Sequence, residues 1–501
     1  MKPLFLLILL IIFQNCFAQK YSCKTNEIKP SEITEKIPAH QLLEDIDEFI
    51  DILEEVHVNP YMKISKNNFY RSVDILKRSI IDSLNRQQFY QIFTPLVDLL
   101  NDSHTGVRFP SGIWKHYQYE AKGLFFPMEI ETTLDKRIFI KCDFSGNKIP
   151  DNTEILSINS TKSTDIINTF LKYDPSPIES SGIKRLEKKF VDYMWWVLDY
   201  RGPYTVETNS GTYIVQGQLW DEYSRNRKEF VQKPTKKTMS LIEIDNKTCL
   251  LKINSFSGST SEFIPKIQEQ FKEIQIKGYK NLIIDVRDNG GGNDDNGKAV
   301  IDFITDKPYS IGLASKFMMK RSKRYDNNIK CKFPRIIRWM VTLKTASWID
   351  KENRLLFRYL RKTPYGENLE VQLPFQEPSE NLYRFKGKVY VFSNQNSYSA
   401  TTVFLGAIKD YGLGTIIGTE TGDCPTGFGN NFYFELKNSR LQCHSSTTFM
   451  IRPSGDMDMT HGVIPDYNIE QTIEDTENNE DPLLNYTLDL INHTHNNRYA
   501  K

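Results

Sequence analysis

Hydrophobic positions along the chain fall into three textures. Between Ala39 and Pro60, Leu43, Ile46, Phe49, Ile50, Leu53 and Val56 recur at helical spacing with acids opposite. That pattern predicts an amphipathic helix ended by the proline. The spacing predicts two more helices, over Lys66 to Leu84 and Gln87 to Leu100. Residues 120–215 read instead as β-rich with one helix, Thr164 to Leu171. From Met239 strands and helices alternate. Strands are predicted at Cys249–Ile253, Asn281–Val286, Val389–Phe392 and Thr415–Ile417. Helices are predicted over Phe263 to Ile276, near Gly297 to Ile304, and from Ala400. A strand pair reaching Phe449 and a last helix, Pro482 to Ile491, complete the pattern.

These textures predict an α/β multidomain protein. The expected parts are a leader over 1–18, a linker over 19–38, and a helical domain over 39–106 that ends in a histidine-bearing turn. A β-rich domain follows over 107–238, then an α/β domain over 239–473 with an insertion or lid at 307–385, then a tail over 474–501. A chain of 501 residues exceeds one ordinary core, which agrees with several domains. In the leader, Lys2 precedes the apolar run Leu4 to Phe13 and the small-residue end Cys16-Phe17-Ala18, the pattern of a secretory signal cut after Ala18. The protein is therefore expected to be exported, to a periplasm or out of the cell. No later apolar stretch is long enough to span a bilayer.

Charge adds an exclusion. With 64 basic and 63 acidic residues there is no electrostatic case for nucleic acid. The basic residues Lys316, Lys320, Arg321, Lys323 and Arg324 read as a patch or, more simply, as a solvated face. Without Cys16, six cysteines remain: Cys23, Cys142, Cys249, Cys331, Cys424 and Cys443. An oxidising compartment permits disulfides, and Cys424 with Cys443, on neighbouring predicted strands, is the favoured pair. The histidines are scattered, so no metal is implied, and no motif implies a cofactor.

Three places carry candidate chemistry. Ser399 sits where the strand Val389–Phe392 hands over, through a polar turn, to a helix N-terminus. Unpaired N–H groups there favour negative charge, so a serine at this point can be a nucleophile, or simply the helix N-cap. His104, in Asn101-Asp-Ser-His-Thr105, closes a helix next to Ser103 and can be a general base or a C-terminal cap. The loop Asn289-Gly290-Gly291-Gly292 follows a buried strand, where its backbone can approach a ligand or merely turn tightly. It is no phosphate loop, because neither GxxxxGK[ST] nor GxGxxG is present.

Four segments in order resemble the C-terminal (tail-specific) processing serine peptidases and the tricorn-core peptidases. Asn101-Asp-Ser-His-Thr105 resembles D-x-H-T, and Asp285-Val-Arg-Asp-Asn-Gly-Gly-Gly292 resembles D-[LV]-R-x-N-x-G-G. Ser397-Tyr-Ser-Ala-Thr-Thr402 resembles S-x-S-A-x-E, and Gly462-Val-Ile-Pro-Asp466 resembles G-V-x-P-D. The stretch Lys148 to Asn159 with the helix after it resembles part of a PDZ domain, Gly123-Leu-Phe-Phe126 standing in for its carboxylate loop; a β-insert that only packs is the alternative. The resemblance covers about residues 40–470. It implies a ClpP/crotonase-like catalytic domain and a peptide or protein substrate.

The tail-specific branch has a Ser-Lys dyad with the lysine twenty-five positions after the serine. Here that position is Cys424, so the resemblance points to the tricorn-like Ser-His branch. It implies Ser399 as nucleophile, His104 as base, and Ser103 linking His104 to an acid, Asp458 or else Asp456. It further implies oxyanion donors from Ala400 and from Gly291 or Gly292, with Gly290 and Asn289 beside the substrate. Thr402 stands where the family has glutamate, which keeps open a weak or inactive protein binding a peptide or an apolar ligand on the same scaffold. An α/β-hydrolase esterase is disfavoured because no G-x-S-x-G is present. Oligomeric state is not indicated.

Overall fold

The most periodic segments fold where their pattern puts them. A computed structural model describes residues 32, 34–230, 238–310, 313–324, 362–472, 475, 478 and 480–496. The amino-terminal helices are α1 (Ala39–Val56), α2 (Lys66–Ser79) and α3 (Arg86–Asp98). Ser65 caps α2 by accepting from Asn68 N, and Asn85 with Gln88 forms a capping box on α3. The apolar stripe of α1, with Leu42, Ile46, Phe49 and Leu53, is buried with Phe69, Phe89 and Phe93. After α3 the chain turns through residues 101–105 into β1 (Gly106–Arg108). This strand leaves the helices and pairs antiparallel with Gln442–Ile451, far along the chain.

The middle of the chain forms an antiparallel sheet. Its strands are β2 (Met128–Thr132), β3 (Ile138–Asp143), β4 (Glu154–Ile158), β5 (Tyr204–Thr208) and β6 (Gly211–Val215), paired in that order. Helices α4 (Ser163–Leu171) and α5 (Glu179–Trp196) share its core, and α6 (Trp220–Phe230) follows. The single predicted helix is α4; α5 corrects that reading, while α6 lies beyond the 120–215 stretch. In α5, Ile183, Leu186, Phe190 and Tyr193 do make a helical stripe, but aromatic residues near its end read equally as strand. Those aromatic residues pack, with Trp195 stacked on Tyr117 at 3.8 Å and Trp196 on Phe109 at 4.7 Å between centroids. The segment Leu124–Phe125 pairs with Gln218–Leu219.

The third part is built on a six-stranded sheet. Its strands are β7 (Met239–Glu243), β8 (Thr248–Ile253) and β9 (Asn281–Asp285), joined through α7 (Thr260–Lys277) and followed by α8 (Asp294–Asp302). Two further strands, β10 (Lys316–Lys320) and β11 (Asn368–Gln372), come from the predicted insertion. Then come β12 (Lys388–Ser393), α9 (Ala400–Tyr411), β13 (Thr415–Gly418), β14 (Gly427–Glu435), β15 (Gln442–Ile451), β16 (Tyr467–Asn468) and α10 (Pro482–Asn496). The sheet order is β7-β8-β9-β12-β13-β16, parallel except for β7. Phe271, Val300, Phe404 and Ile408 cover one face, while Leu483 and Ile491 of α10 cover the other. Both faces are buried, so β9 is apolar without alternation, Leu282-Ile283-Ile284.

A second sheet runs β1-β15-β10-β11, with β14 also on β15. The described ends of the insertion are therefore strands, and residues 325–361 lie outside the described residues, as does the leader over 1–18. The basic residues are partly engaged: Lys316 with Glu370, Lys320 with the Glu54 carbonyl, Arg324 with Glu55. Among the described residues no helix is long and apolar enough to cross a membrane.

The expected Cys424–Cys443 disulfide is not formed; both thiols are free. Cys443 pairs with Phe434, seven rungs from the Gly427–Met450 end where Cys424 lies, and a strand rises about 3.3 Å per residue. A disulfide needs Cα atoms within about 7 Å.

Candidate active site

Strand β12 delivers residues 394–399 to the carboxyl end of the sheet, where open α/β sheets gather ligands. Ser397 anchors the turn, donating to Val286 O at 2.9 Å and accepting from Asn394 N at 3.1 Å. Ser399 then takes φ 53° and ψ −122°, a strained conformation for a residue with a Cβ. Its side chain makes no capping hydrogen bond to α9, so the N-cap reading does not hold. Thr402, where the resemblance has glutamate, is fully buried and donates to Ser397 O at 3.2 Å. It braces the turn from inside.

The glycine loop runs directly against this turn. Gly291 has φ +96°, and a Cβ there would lie 2.6 Å from Tyr398 O and 3.0 Å from Ala400 N. Its N–H donates to Asn289 Oδ1 at 3.0 Å and is thereby committed. The N–H of Gly292 makes no hydrogen bond among the described residues, and Gly292 faces the same cavity as Ser399. The N–H of Ala400, first in α9, is also free of any intrahelical partner. Asn289 does not face a ligand: it is fully buried and donates from Nδ2 to Ile253 O at 3.1 Å. Gly290 is exposed, with open space where a Cβ would be.

The histidine arrives from the other end of the chain. Pairing of β1 with β15, Gly106 opposite His444, fixes the 101–105 turn to the carboxyl-terminal part of the chain. Asp102 is the buried hub of that turn. Its Oδ1 accepts from His104 N at 2.9 Å; its Oδ2 accepts from Thr105 and Ser446 hydroxyls, each at 2.6 Å, and contacts His57 Nε2 at 3.2 Å. His57 Nδ1 accepts from Asn59 N at 3.0 Å, so its proton sits on Nε2, toward Asp102. Burial alone would raise the Asp102 carboxyl, but the hydrogen bonds from His57 and Ser446 hold it well below the usual range. Neither His57 nor Ser446 carried a sequence signal, since each acts only through a contact distant along the chain.

His104 and Ser399 share one open cleft, with Asp423, Asp294 and Gly292 also in its wall. His104 Nδ1 lies 3.1 Å from Ser103 Oγ, which donates to Asp423 Oδ1 at 3.4 Å. Asp423 Oδ1 also accepts from Cys424 N at 3.0 Å. Burial pushes the Asp423 carboxyl up, opposed by His104 and by Arg185. Arg185, on α5, lies over the Tyr398 ring at 4.9 Å and donates to Pro175 O at 3.0 Å, so the middle domain also braces the serine turn.

The structure places the two acids expected behind Ser103 elsewhere. Asp458 is exposed and accepts from Thr460 N at 2.8 Å, with His461 Nδ1 at 2.8 Å on its other oxygen. Those Thr460 bonds, with His461, hold its carboxyl down at about 2. Asp456 is exposed and accepts from Asp458 N at 3.0 Å. Asp423 was legible only as the polar loop residue beside Cys424, the position where the Ser-Lys branch has its lysine.

Fold and site together define an α/β domain with a serine on a strained strand-to-helix turn, facing two free amides and a histidine. Residues 247–469 match the family model for Peptidase family S41. A stretch of 109 residues is 31% identical to the Tail-specific protease of Haemophilus influenzae. That match covers 21% of this chain and only 16% of the relative's length. Among solved structures, a mutant of CPAF aligns with a TM-score of 0.60 at 14% identity, over 87% of this chain and 94% of that one. Mature CPAF aligns at 0.58 and 15% identity, over 87% and 94%. At such identities these likenesses show the fold.

Proposed function

We propose that this chain is an exported serine peptidase that hydrolyses peptide bonds in peptides or protein C-terminal tails. The observation that carries the reading is Ser399 itself: strained, uncapped, and sharing a cleft with His104 and two free amides. Ser103 spends its one proton on Asp423, so its oxygen accepts from His104 Nδ1–H. That chain leaves His104 Nε2 unprotonated, the tautomer a general base requires.

In the first step Ser399 Oγ attacks the scissile carbonyl carbon and its proton passes to His104 Nε2. The oxyanion is held by the N–H groups of Gly292 and Ala400. The C–N bond then breaks, the His104 proton leaves with the amine, and an acyl-enzyme remains. Water, deprotonated by His104, releases the acid. Asp423 is the acid that holds Ser103 and His104 in register, in place of Asp458 or Asp456. Gly292 replaces Gly291 as the second oxyanion donor. In this reading the middle domain is PDZ-like, and a strand edge such as β6, paired on one side, takes an extended peptide by β-augmentation. The catalytic domain is read as ClpP/crotonase-like. Export rests on the amino-terminal segment 1–18.

The test is labelling with a fluorophosphonate probe beside Ser399→Ala and His104→Ala. The wild type is expected to label and both variants to fail. If only Ser399→Ala loses the label, the base is elsewhere and the Ser-His reading falls. A folded wild type that neither labels nor cleaves peptides supports the ligand-binding alternative.

A further inference from the structure

Asp294 takes no part in the mechanism above, yet it is in the wall of the catalytic cleft with Ser399 and His104. It is the first residue of α8 and half-buried. An acid at a helix start is ordinarily explained by the dipole. Here the exposed Asp295 already serves that end, and Asn293 supplies the cap by accepting from Asp295 N at 3.0 Å. Asp294 itself makes no hydrogen bond or ion pair among the described residues. Burial, with Asp295 beside it, pushes its carboxyl up to about 6, opposed by His104, and no lysine or arginine contributes. A carboxylate left without a cation in a partly desolvated wall is costly unless something charged comes to it.

The rest of the wall has complementary chemistry. Val403, Pro425, Phe428 and Met450 give it an apolar side. Lysine and arginine side chains combine a long apolar stem with a cationic end, and they bury the stem along such surfaces while the charge seeks a polar partner. We propose that Asp294 is a specificity-determining residue that selects peptides with lysine or arginine next to the scissile bond. The stem lies along Val403 and Met450, and the ammonium or guanidinium pairs with the Asp294 carboxylate. This rests on the peptidase reading given above.

The experiment digests a proteome-derived peptide library with the purified full chain and reads cleavage sites by mass spectrometry. The expected result is enrichment of Lys and Arg at one of the two positions flanking the cleaved bond. Matched quenched peptides with lysine or norleucine there then give kcat/KM for wild type and Asp294→Asn. The lysine preference is expected to fall by about tenfold or more in the variant, with the norleucine peptide little changed. Asp294→Lys is expected to shift enrichment to Asp and Glu. If wild type cleaves without basic enrichment, or Asp294→Asn keeps it, the inference is overturned and the peptidase reading stands. An equal loss on both peptides also overturns it, since Asp294 would then act on His104. If wild type neither cleaves nor labels at Ser399, both fall together.

Discussion

Replacing Asp423 with asparagine removes a charge while leaving an acceptor in place. Asp423 Oδ1 accepts from both Cys424 N and Ser103 Oγ. The backbone donor forces an asparagine to present its carbonyl oxygen there, because its NH₂ would face another N–H. Ser103 therefore keeps its acceptor, and His104 keeps its tautomer. What is lost is the negative charge behind the imidazolium formed in the transition state. Two hydrogen bonds in series, 3.1 Å and 3.4 Å, separate the groups. At roughly 5–6 Å and an effective dielectric of about 20, that attraction is about 3 kcal/mol. A charge-assisted bond from Ser103 becoming a neutral one costs about 1 kcal/mol more. Together these predict a loss of about 10²–10³-fold in kcat, with KM little changed, since the charge acts after substrate is bound.

The assay is steady-state cleavage of a peptide found by profiling, with Asp423→Ala and Asp458→Asn alongside. Asp423→Ala, which leaves Ser103 with no acceptor and frees the wrong tautomer, is expected to lose more than Asp423→Asn. Asp458→Asn is expected to stay near wild type. If Asp423→Asn retains activity within about threefold, or Asp458→Asn is the damaged variant, the chain from His104 through Ser103 to Asp423 is refuted. Stability gives a second readout of opposite sign. The folded Asp423 carboxyl is raised above its ordinary 3.8, so wild type loses stability as pH rises and this group ionises. Asp423→Asn should therefore raise the unfolding midpoint at pH 7, and the gain should vanish below pH 3.8.

The remaining predictions concern the frame of the site. Gly291→Ala forces a Cβ to within 2.6 Å of Tyr398 O at φ +96°; probe labelling is expected to fall at least about tenfold, while Gly290→Ala, open on that side, labels normally. Equal labelling of both would show that the loop does not shape the Ser399 turn. His57→Ala leaves buried Asp102 short of a donor and is expected to cost about 2–3 kcal/mol in denaturant unfolding; a loss under about 1 kcal/mol would remove His57 from the network. Peptide mapping without reductant should find no link between Cys424 and Cys443, and a linked peptide would contradict the strand register.

Local pattern determined most elements of this chain and the place of Ser399 among them. The stripe of α1, the apolar run of β9 and the polar turn before Ala400 each express a period or a break readable within about ten residues. They place Ser399 at a strand-to-helix junction without any tertiary knowledge. The tertiary structure decided what depends on contact across the chain. Only the pairing of β1 with β15 brings His104 into the Ser399 cleft. Only burial beside Ser103 separates Asp423 from Asp458, since both are acids in polar loops, and what differs is which one folding desolvates and aims at Ser103. The committed N–H of Gly291 against the free one of Gly292 is likewise a matter of one side chain, Asn289, turning inward. Periodicity records which face of an element is buried, but not which distant partner it is buried against, and the chemistry of this site rests on those partners.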